Sequence, residues 1–301
     1  MEDGVRAASQ FQVSAALSRL AYDEGRVRLV DPDLAGHDCL VASRQGLFTV
    51  ARTGEVKRIA YGFFFGIRRC GEAFYVFEAC DRPAARTDRG RIIKLELDSK
   101  RIIGTRIIAS GLDNHCHQLA IINDHICLVD TASQAILRFT LDGTLIGRQI
   151  PIPLADGGQY HHINSIAHLG GRVVILLHNG GKDAAVPSEL AWLDGDWQIQ
   201  RREELAGHGC HDIVEDEAGV IWQCGSLEGA IINSAGLRRK VTERMTRGLI
   251  ITPDAVIVGA SDFGARDVRH QMAGSLLYLD RQLTIQTEVQ LPAAPTDIVL
   301  L

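Results

Sequence analysis

Residues 117–147 read HQLAIINDHICLVDTASQAILRFTLDGTLIG, and residues 211–241 read HDIVEDEAGVIWQCGSLEGAIINSAGLRRKV. Both stretches contain a short apolar segment, a turn, a second apolar segment with a small or polar end, a third apolar segment and a glycine turn. Short segments rich in Val, Ile and Leu between Gly or Asp turns are typical of β-strands. The chain therefore contains an internal repeat, and this repeat decides the fold.

The first strand of the repeat recurs along the whole chain. Its starts, at spacings of about 36 to 51 residues, are Gly66, His117, Asn164, His211, Arg247 and Thr296. Spacings of this length are typical of four-stranded propeller blades with loop insertions. The predicted fold class is all-β, a six-bladed β-propeller.

The two ends of the chain complete each other. Residues 296–301, TDIVLL, form a first strand with no continuation, whereas residues 39–58, CLVASRQGLFTVARTGEVKR, match strands two to four of the blade that begins at His117. We expect the C-terminal strand to pair with the N-terminal blade, which closes the ring and leaves no open sheet edge. The predicted division is an N-terminal extension, 1–35, with a short helix over 10–24 packed outside the ring, and one propeller domain, 36–301.

The composition limits the classes of partner. The 301 residues are 46% hydrophobic and 23% charged, which is typical of a soluble globular chain. A formal net charge of −5 disfavours nucleic acid or an acidic membrane as a partner. The chain has no apolar run near the roughly 18 residues that span a bilayer, no export signal, and seven scattered cysteines without a CxxC pair. We expect a cytoplasmic protein with a small-molecule substrate.

The stretch at residues 123–147, NDHICLVDTASQAILRFTLDGTLIG, resembles the NHL-repeat propellers and the related family of regucalcin, gluconolactonase and paraoxonase. As a repeat pattern the resemblance covers roughly residues 38–301. It implies a six-bladed propeller. For the enzymes of that family it also implies a divalent metal over the central channel, held by Glu, Asn and Asp, and hydrolysis of a lactone or ester. This chain has His at several matching positions, so metal preference and substrate do not carry over.

The mouth of the channel is the predicted site. The first strand of each blade lines the channel, so the six starting residues should form a ring at one opening. Residues two apart on a strand share a face, which adds His115 beside His117 and His162 beside Asn164. The second strands return to this opening, and their ends are Glu78, Asp130, His178 with Asn179, Cys224, and Ser261 with Asp262.

Three long connections, 80–90, 179–189 and 261–274, should cover the same opening. Long loops above one end of a rigid ring commonly carry binding and catalysis. The residues predicted to bind substrate there are Asn164, Asp130, Glu78 and His270.

Histidines are the strongest functional signal. Of the eleven in the chain, at least five map to the mouth, namely His115, His117, His162, His178 and His211. Imidazole suits transition metals, and three histidines with an open coordination position form a known catalytic arrangement. We predict a divalent transition metal, Zn, Fe or Mn, held by His117, His162 and His211. The alternative for each histidine is a hydrogen-bonded wall residue of the channel.

Catalytic roles are predicted for polar side chains around this ion. Arg247 would hold a carboxylate or a developing oxyanion, and Asp212, His178 or His115 would move protons. The structural alternatives are an ion pair of Arg247 with an aspartate, and an Asp212 that ties a strand end to a neighbouring blade.

The predicted function is that of a metal-dependent enzyme acting on a small polar or anionic substrate, by hydrolysis or a lyase reaction, with an oxygenase as a third option. The alternative from another class is a non-catalytic propeller that binds a protein or a small ligand through the loops at its mouth. An RNA-binding propeller fits poorly, because five Tyr and three Trp in an acidic chain do not supply a basic aromatic face.

Overall fold

The computed structural model describes residues 2–81, 86–152, 160–179, 186–264 and 271–301, with side chains from Phe11 onward. Its strands form six antiparallel sheets, five of four strands and one of five. The innermost strand of each sheet contacts the innermost strands of the two neighbouring sheets, so the sheets form one ring of blades. The predicted six-bladed β-propeller is confirmed.

Blade 1 contains β1 (Arg28–Leu29), β2 (Cys39–Ser43), β3 (Gly46–Val50), β4 (Val56–Tyr61) and, innermost, β25 (Pro295–Leu300). Blade 2 contains β5 (Phe64–Cys70), β6 (Ala73–Ala79), β7 (Gly90–Asp98) and β8 (Arg101–Leu112). Blade 3 contains β9 (Cys116–Ile122), β10 (His125–Asp130), β11 (Ala135–Thr140) and β12 (Leu145–Gln149).

Blade 4 contains β13 (Ile163–Leu169), β14 (Arg172–Leu177), β15 (Glu189–Leu193) and β16 (Ile199–Glu204). Blade 5 contains β17 (His211–Glu215), β18 (Ile221–Gly225), a 3-10 turn at Ser226–Glu228, β19 (Ala230–Asn233) and β20 (Arg238–Lys240). Blade 6 contains β21 (Met245–Ile251), β22 (Val256–Ser261), β23 (Gly274–Leu279) and β24 (Ile285–Leu291).

The predicted closure of the ring is confirmed. Strand β25 lies antiparallel to β2, with Leu300 opposite Cys39 and Ile298 opposite Val41. Apolar side chains fill every boundary between adjacent blades, because the described residues form six buried clusters and each cluster joins two neighbours. Burial between blades therefore holds the ring together.

Every innermost strand carries a β-bulge near the end where it enters the channel. In blade 2, for example, the register shifts between Phe64 and Ile67, and in blade 4 it shifts between Ile163 and Ser165. The other four innermost strands shift at equivalent places. A bulge re-aims the side chains around it and is common beside functional sites. The six bulges together form one opening of the channel, which we call the mouth.

Polar side chains at the bulges tie each blade to the next. The Asp297 carboxylate accepts a hydrogen bond from the backbone N–H of Ile67 at 3.0 Å. Thr296 Oγ1 donates to the carbonyl of Phe64 at 2.7 Å, and Asn164 Nδ2 donates to the carbonyl of Cys210 at 2.9 Å. The mouth is thus a hydrogen-bonded girdle as well as an opening.

Helix α1 (Glu2–Asp23) is longer than the predicted helix and packs against the blades. Phe11 stacks on Phe63 with ring centroids 5.1 Å apart, and Ser14 Oγ donates to the carbonyl of Gln45 at 3.0 Å. These partners belong to mouth-side turns of blades 1 and 2, so α1 lies over that face. In the portion of the chain that is described, no helix has the length and apolar character needed to cross a membrane.

Glu78, a predicted substrate-binding residue, faces α1 instead of the channel. Its carboxylate pairs with Arg91 at 2.7 Å and accepts a hydrogen bond from Ser18 Oγ at 2.7 Å. Both charged side chains are 1% exposed, and Arg91 also donates to the carbonyl of Ala21 at 3.2 Å. Burial raises the Glu78 pKa, opposed by the charge of Arg91. Glu78 therefore anchors the helix.

Replacing Glu78 tests this anchor. The variant Glu78→Ala leaves Arg91 buried without its counter-charge, so we expect the free energy of unfolding to fall by about 3–5 kcal/mol. Urea unfolding followed by circular dichroism measures this loss. The control Glu96→Ala removes an exposed partner of Lys94 in the same blade and should cost less than about 1 kcal/mol. Equal losses in the two variants would show that the buried pair does not anchor α1.

The girdle gives a pH dependence of stability. Burial raises the pKa of Asp297 from its ordinary 3.8 to about 6, against the opposing charge of Arg68 2.6 Å away. The folded state therefore keeps this proton to a higher pH than the unfolded state, and the stability that the group contributes is lost as the pH rises from about 4 through 6.

We expect the parent to lose about 3 kcal/mol of unfolding free energy relative to Asp297→Asn between about pH 4 and pH 7. The comparison cancels the titration of all groups that the two proteins share. Urea unfolding of both proteins across this range provides the measurement. A constant difference between their two curves is the result that contradicts a raised Asp297 pKa.

Candidate functional site

A cavity lies at the mouth, where the innermost strands enter the channel. It is small and partly open to solvent, with about 10 Å³ of space for the centre of a water molecule. We call it the channel cavity, and its lining residues are Phe65, His117, Gln118, Asn164, His211, Arg247 and Thr296. Every one of them lies in a β-bulge or directly beside one, so the bulges aim these side chains into the cavity.

Blade 2 departs from the predicted ring. The other five predicted ring residues line the channel cavity, but Gly66 does not. A Cβ atom at Gly66 would lie 2.6 Å from the backbone nitrogen of Leu119, so this residue faces blade 3 at a distance that only glycine allows. The preceding residue, Phe65, takes the place in the cavity. The bulge has shifted the channel-facing residue by one position.

Four predicted histidines form a continuous row of rings around the mouth. The ring centroids of His117 and His162 are 5.5 Å apart, and those of His178 and His211 are 5.2 Å apart. Between the two pairs, His162 and His178 stack at 4.6 Å. Phe65 extends the row, 5.6 Å from His117. The structure thus brings together histidines from blades 3, 4 and 5.

The hydrogen bonds of two histidines fix their tautomers. Nδ1 of His117 lies 2.8 Å from the carbonyl of His115, and Nδ1 of His211 lies 2.9 Å from the carbonyl of Gly209. A carbonyl only accepts, so Nδ1 must carry the proton in each ring. Nε2 therefore keeps its lone pair. The backbone carbonyl of His115 thus orients His117, and the predicted proton transfer by the His115 side chain stays a prediction.

Both of these imidazoles are neutral near pH 7. Burial lowers the pKa of His117 to about 3, and the charges of Arg247 and Arg44 add to this effect. Burial also lowers the pKa of His211 well below its ordinary value, again with help from Arg247. A neutral imidazole with a fixed Nδ1 proton presents a basic nitrogen at Nε2.

Arg247 contacts the basic nitrogen of His211. Its Nη2 lies 2.5 Å from His211 Nε2 and donates a hydrogen bond to it. A guanidinium has no acceptor and keeps its charge in proteins. The site therefore holds a permanent cation against a neutral imidazole.

A second cavity adjoins the channel cavity between blades 6 and 1. It is also partly open to solvent, with about 30 Å³ of space for the centre of a water molecule. We call it the side cavity, and its lining residues are Arg44, Met245, Arg247, Ser261, Asp262, Ala294, Pro295 and Thr296. Arg247 and Thr296 line both cavities. The Arg44 guanidinium also lies 5.3 Å from the ring centroid of Phe65, which connects the side cavity to the histidine row.

Asp212 is a tie between blades. Its carboxylate accepts hydrogen bonds from the backbone N–H of Gly248, at 2.9 Å, and from the Gln118 side chain. Its own N–H donates to Ser165 Oγ at 3.1 Å. Burial raises its pKa. These contacts match the structural alternative for Asp212, because both carboxylate oxygens point at protein donors.

The backbone is strained at the mouth. Asp212 has φ of 65°, whereas Gly248, in the equivalent bulge of blade 6, adopts φ of 75° without strain because it has no Cβ. His162 and Asn179 also have left-handed φ values, of 55° and 52°. Non-glycine residues rarely adopt this conformation, and such outliers cluster at functional sites.

Another predicted residue, Asp130, lies outside both cavities. Asp130 accepts a hydrogen bond from the backbone N–H of Ser133 at 3.1 Å, which caps the turn after β10. His270 lies outside the described residues. The missed residue of greatest interest is Arg44, which follows β2. The rule that second strands end at the mouth would have found it, had it been applied to the N-terminal blade.

The predicted metal ligands His117, His162 and His211 are close in the row, but their rings also contact other groups. Across the ranges that the structure describes, no group of three or more His, Cys, Asp or Glu side chains could hold one metal ion. His162 meets its neighbour His178 face to face, and His211 Nε2 accepts a hydrogen bond from Arg247. A dication at that nitrogen would face the guanidinium charge. The predicted three-histidine metal site therefore stays a prediction, which the contact of His211 with Arg247 does not favour.

Comparisons with known proteins identify the fold. No protein-family model and no curated protein matches the chain. A chain of the nidogen–laminin complex superposes with a TM-score of 0.61 at 12% identity, over 88% of this chain and 98% of that one. A candidate 6-phosphogluconolactonase from Bacteroides fragilis superposes with a TM-score of 0.54 at 13% identity, over 89% and 98% of the two chains.

A streptogramin B lyase superposes with a TM-score of 0.50 at 14% identity, over 78% of this chain and 86% of that one. At such identities the likeness concerns the fold alone. The architecture implied by the resemblance to gluconolactonase-like propellers is confirmed, and it is shared with a lyase and a candidate lactonase. The chain has the fold of these propellers, and its chemistry must be argued from the residues at the mouth.

Proposed function

We propose that the mouth is the active site of an enzyme that binds a small anionic substrate and moves a proton with a neutral imidazole, in a lyase or hydrolase reaction. The observation that carries this proposal is the contact between Arg247 and His211 beside the neutral His117. A guanidinium that can bind an anion and two imidazoles that can accept a proton then line one cavity.

The charge of the site favours an anion. The residues that line the two cavities include two guanidiniums, Arg44 and Arg247, and one carboxylate, Asp262. Both lining histidines are neutral, so the site carries a net positive charge near pH 7. Guanidinium is the protein cation best suited to a planar carboxylate, because it donates two parallel hydrogen bonds.

Substrate binding makes His117 a stronger base. In the free protein the charges of Arg247 and Arg44 help to lower its pKa to about 3. An anionic substrate offsets these charges, so the His117 pKa rises in the complex. A general base is most effective when its pKa approaches the working pH.

Lyase and hydrolase reactions share the first step. In a lyase reaction, the proton of a carbon beside a carbonyl moves to His117 Nε2, and the electron pair of the C–H bond forms an enolate. In hydrolysis, the proton comes from a water molecule whose oxygen attacks the carbonyl carbon. Either way negative charge develops on the carbonyl oxygen, and the positive field of Arg247 and Arg44 at the mouth stabilises it.

A turnover screen tests this function. Carboxylate-bearing esters, lactones and β-substituted acids are offered to the parent, to His117→Gln and to His125→Gln. His125 begins β10 at the opposite end of the strand from the mouth, so its variant is the matched control. We expect His117→Gln to lose about 100-fold or more of kcat/KM and the control to retain it.

The outcomes separate the two function classes. Equal turnover by His117→Gln and the parent would contradict the assigned base. Tight binding of a ligand or protein partner without turnover of any compound would instead support the non-catalytic propeller.

Elemental analysis tests the metal independently. The predicted Zn, Fe or Mn ion stays a prediction, but the contacts of His211 do not favour it. We expect inductively coupled plasma mass spectrometry, on protein purified without a His tag or chelator, to find well under one metal per chain. About one ion per chain that is lost in a folded His117→Ala/His211→Ala variant would overturn this expectation and restore the metal-dependent mechanism.

A further inference from the structure

The position of Arg247 links the two cavities. Its guanidinium donates to His211 Nε2 at 2.5 Å in the channel cavity, and the same residue lines the side cavity with Arg44. A molecule in either cavity can therefore contact Arg247, which lines both.

The side cavity has the chemistry of a carboxylate subsite. Arg44 and Arg247 supply two positive charges against the one carboxylate of Asp262, and the Ser261 hydroxyl is a further donor. The Thr296 hydroxyl already donates to the carbonyl of Phe64 at 2.7 Å, so its proton is not available. Met245, Ala294 and Pro295 add apolar wall, which suits the carbon chain of an organic acid better than a bare inorganic ion.

An anion competes with His211 for Arg247. A hydrogen bond from a guanidinium to a carboxylate joins two charges and is roughly twice as strong as a bond between neutral groups. The imidazole offers only a neutral nitrogen. The other contacts of His211 engage Nδ1, which bonds to the Gly209 carbonyl and lies 2.9 Å from Ser226 Oγ, so the ring keeps its orientation when its Nε2 changes partner.

We propose that the side cavity binds the carboxylate of the substrate, and that this carboxylate draws Arg247 away from His211 Nε2. The released nitrogen then serves as a second proton-transfer group beside His117. This inference rests on the proposed function for the role of His211. It defines the substrate class as organic acids whose carboxylate occupies the side cavity while the reacting group occupies the channel cavity.

The mechanism also selects the substrate. A neutral compound of the same shape leaves Arg247 on His211 and leaves that nitrogen blocked. The carboxylate is thus required for activation as well as for binding.

Acetate and its neutral isostere acetamide are suitable probes. The protein is labelled with ¹⁵N-histidine, and the His211 Nε2 signal is assigned by its loss in His211→Asn. We expect acetate, but not acetamide, to shift this signal in the parent. The variant Arg44→Gln removes one charge-assisted hydrogen bond, so it should bind acetate about 10-fold or more weakly, and Arg44→Lys should recover part of the affinity.

Arg172→Gln is the matched control. Arg172 is exposed at the start of β14, the end of that strand away from the mouth. The Arg172→Gln variant should therefore bind acetate as tightly as the parent does. The proposal is overturned if acetate does not bind the parent, if Arg44→Gln and Arg172→Gln bind it equally, or if binding leaves the Nε2 signal unchanged. None of these readouts needs turnover, so a parent that shows the shift but turns over no substrate would retain the subsite and lose only the enzymatic function.

Discussion

The pairing of β25 with β2 places both ends of the chain in one blade, and the geometry of the channel follows from this constraint. Closure removes the last free sheet edge. It also brings blade 6 and blade 1 side by side, so that their innermost strands, β21 and β25, contact each other. Arg247 of blade 6, Thr296 of β25 and Arg44 of the β2–β3 turn meet only because the ring is closed. Opening the ring would destroy the side cavity along with the fold.

The bulges explain how a repeated architecture acquires a site. A regular strand alternates its side chains between two faces and presents none of them along the channel axis. The register shift in each innermost strand breaks that alternation at the mouth and aims one or two side chains inward. Some of these side chains, such as Asn164 and Thr296, bond to the next blade, whereas His117 and His211 bond through Nδ1 to groups of their own blade.

Much of the fold could be predicted from the sequence, because strand order and closure depend on a repeat that can be read directly. The position of the candidate site at the mouth could be predicted too, because the same repeat shows where each innermost strand starts. The exact residue could not be predicted in blade 2. Gly66 and Phe65 are neighbours, and the bulge that decides between them depends on the contact of Gly66 with the backbone of Leu119.

Tertiary contacts caused the other differences. Glu78 ends a second strand as predicted, but α1 covers that end and turns Glu78 and Arg91 into a buried pair. No pattern in β6 or β7 indicates that a distant helix will lie there. Similarly, the histidine spacing predicted a cluster correctly, but it could not show that His162 and His178 would stack face to face. A metal site depends on the direction of each ring nitrogen, and sequence spacing does not set that direction.

The polar groups of the channel form two layers with different freedom. In the deeper layer, Asp212 and Asp297 accept hydrogen bonds from backbone N–H groups of the next blade, so moving either carboxylate would strain the ring. In the outer layer, the bond from Arg247 to His211 joins a flexible side chain to a neutral acceptor. A ligand can replace that bond without disturbing the girdle beneath it. In the proposed mechanism, only this contact at the mouth changes when a carboxylate binds, and the fold of the ring stays unchanged.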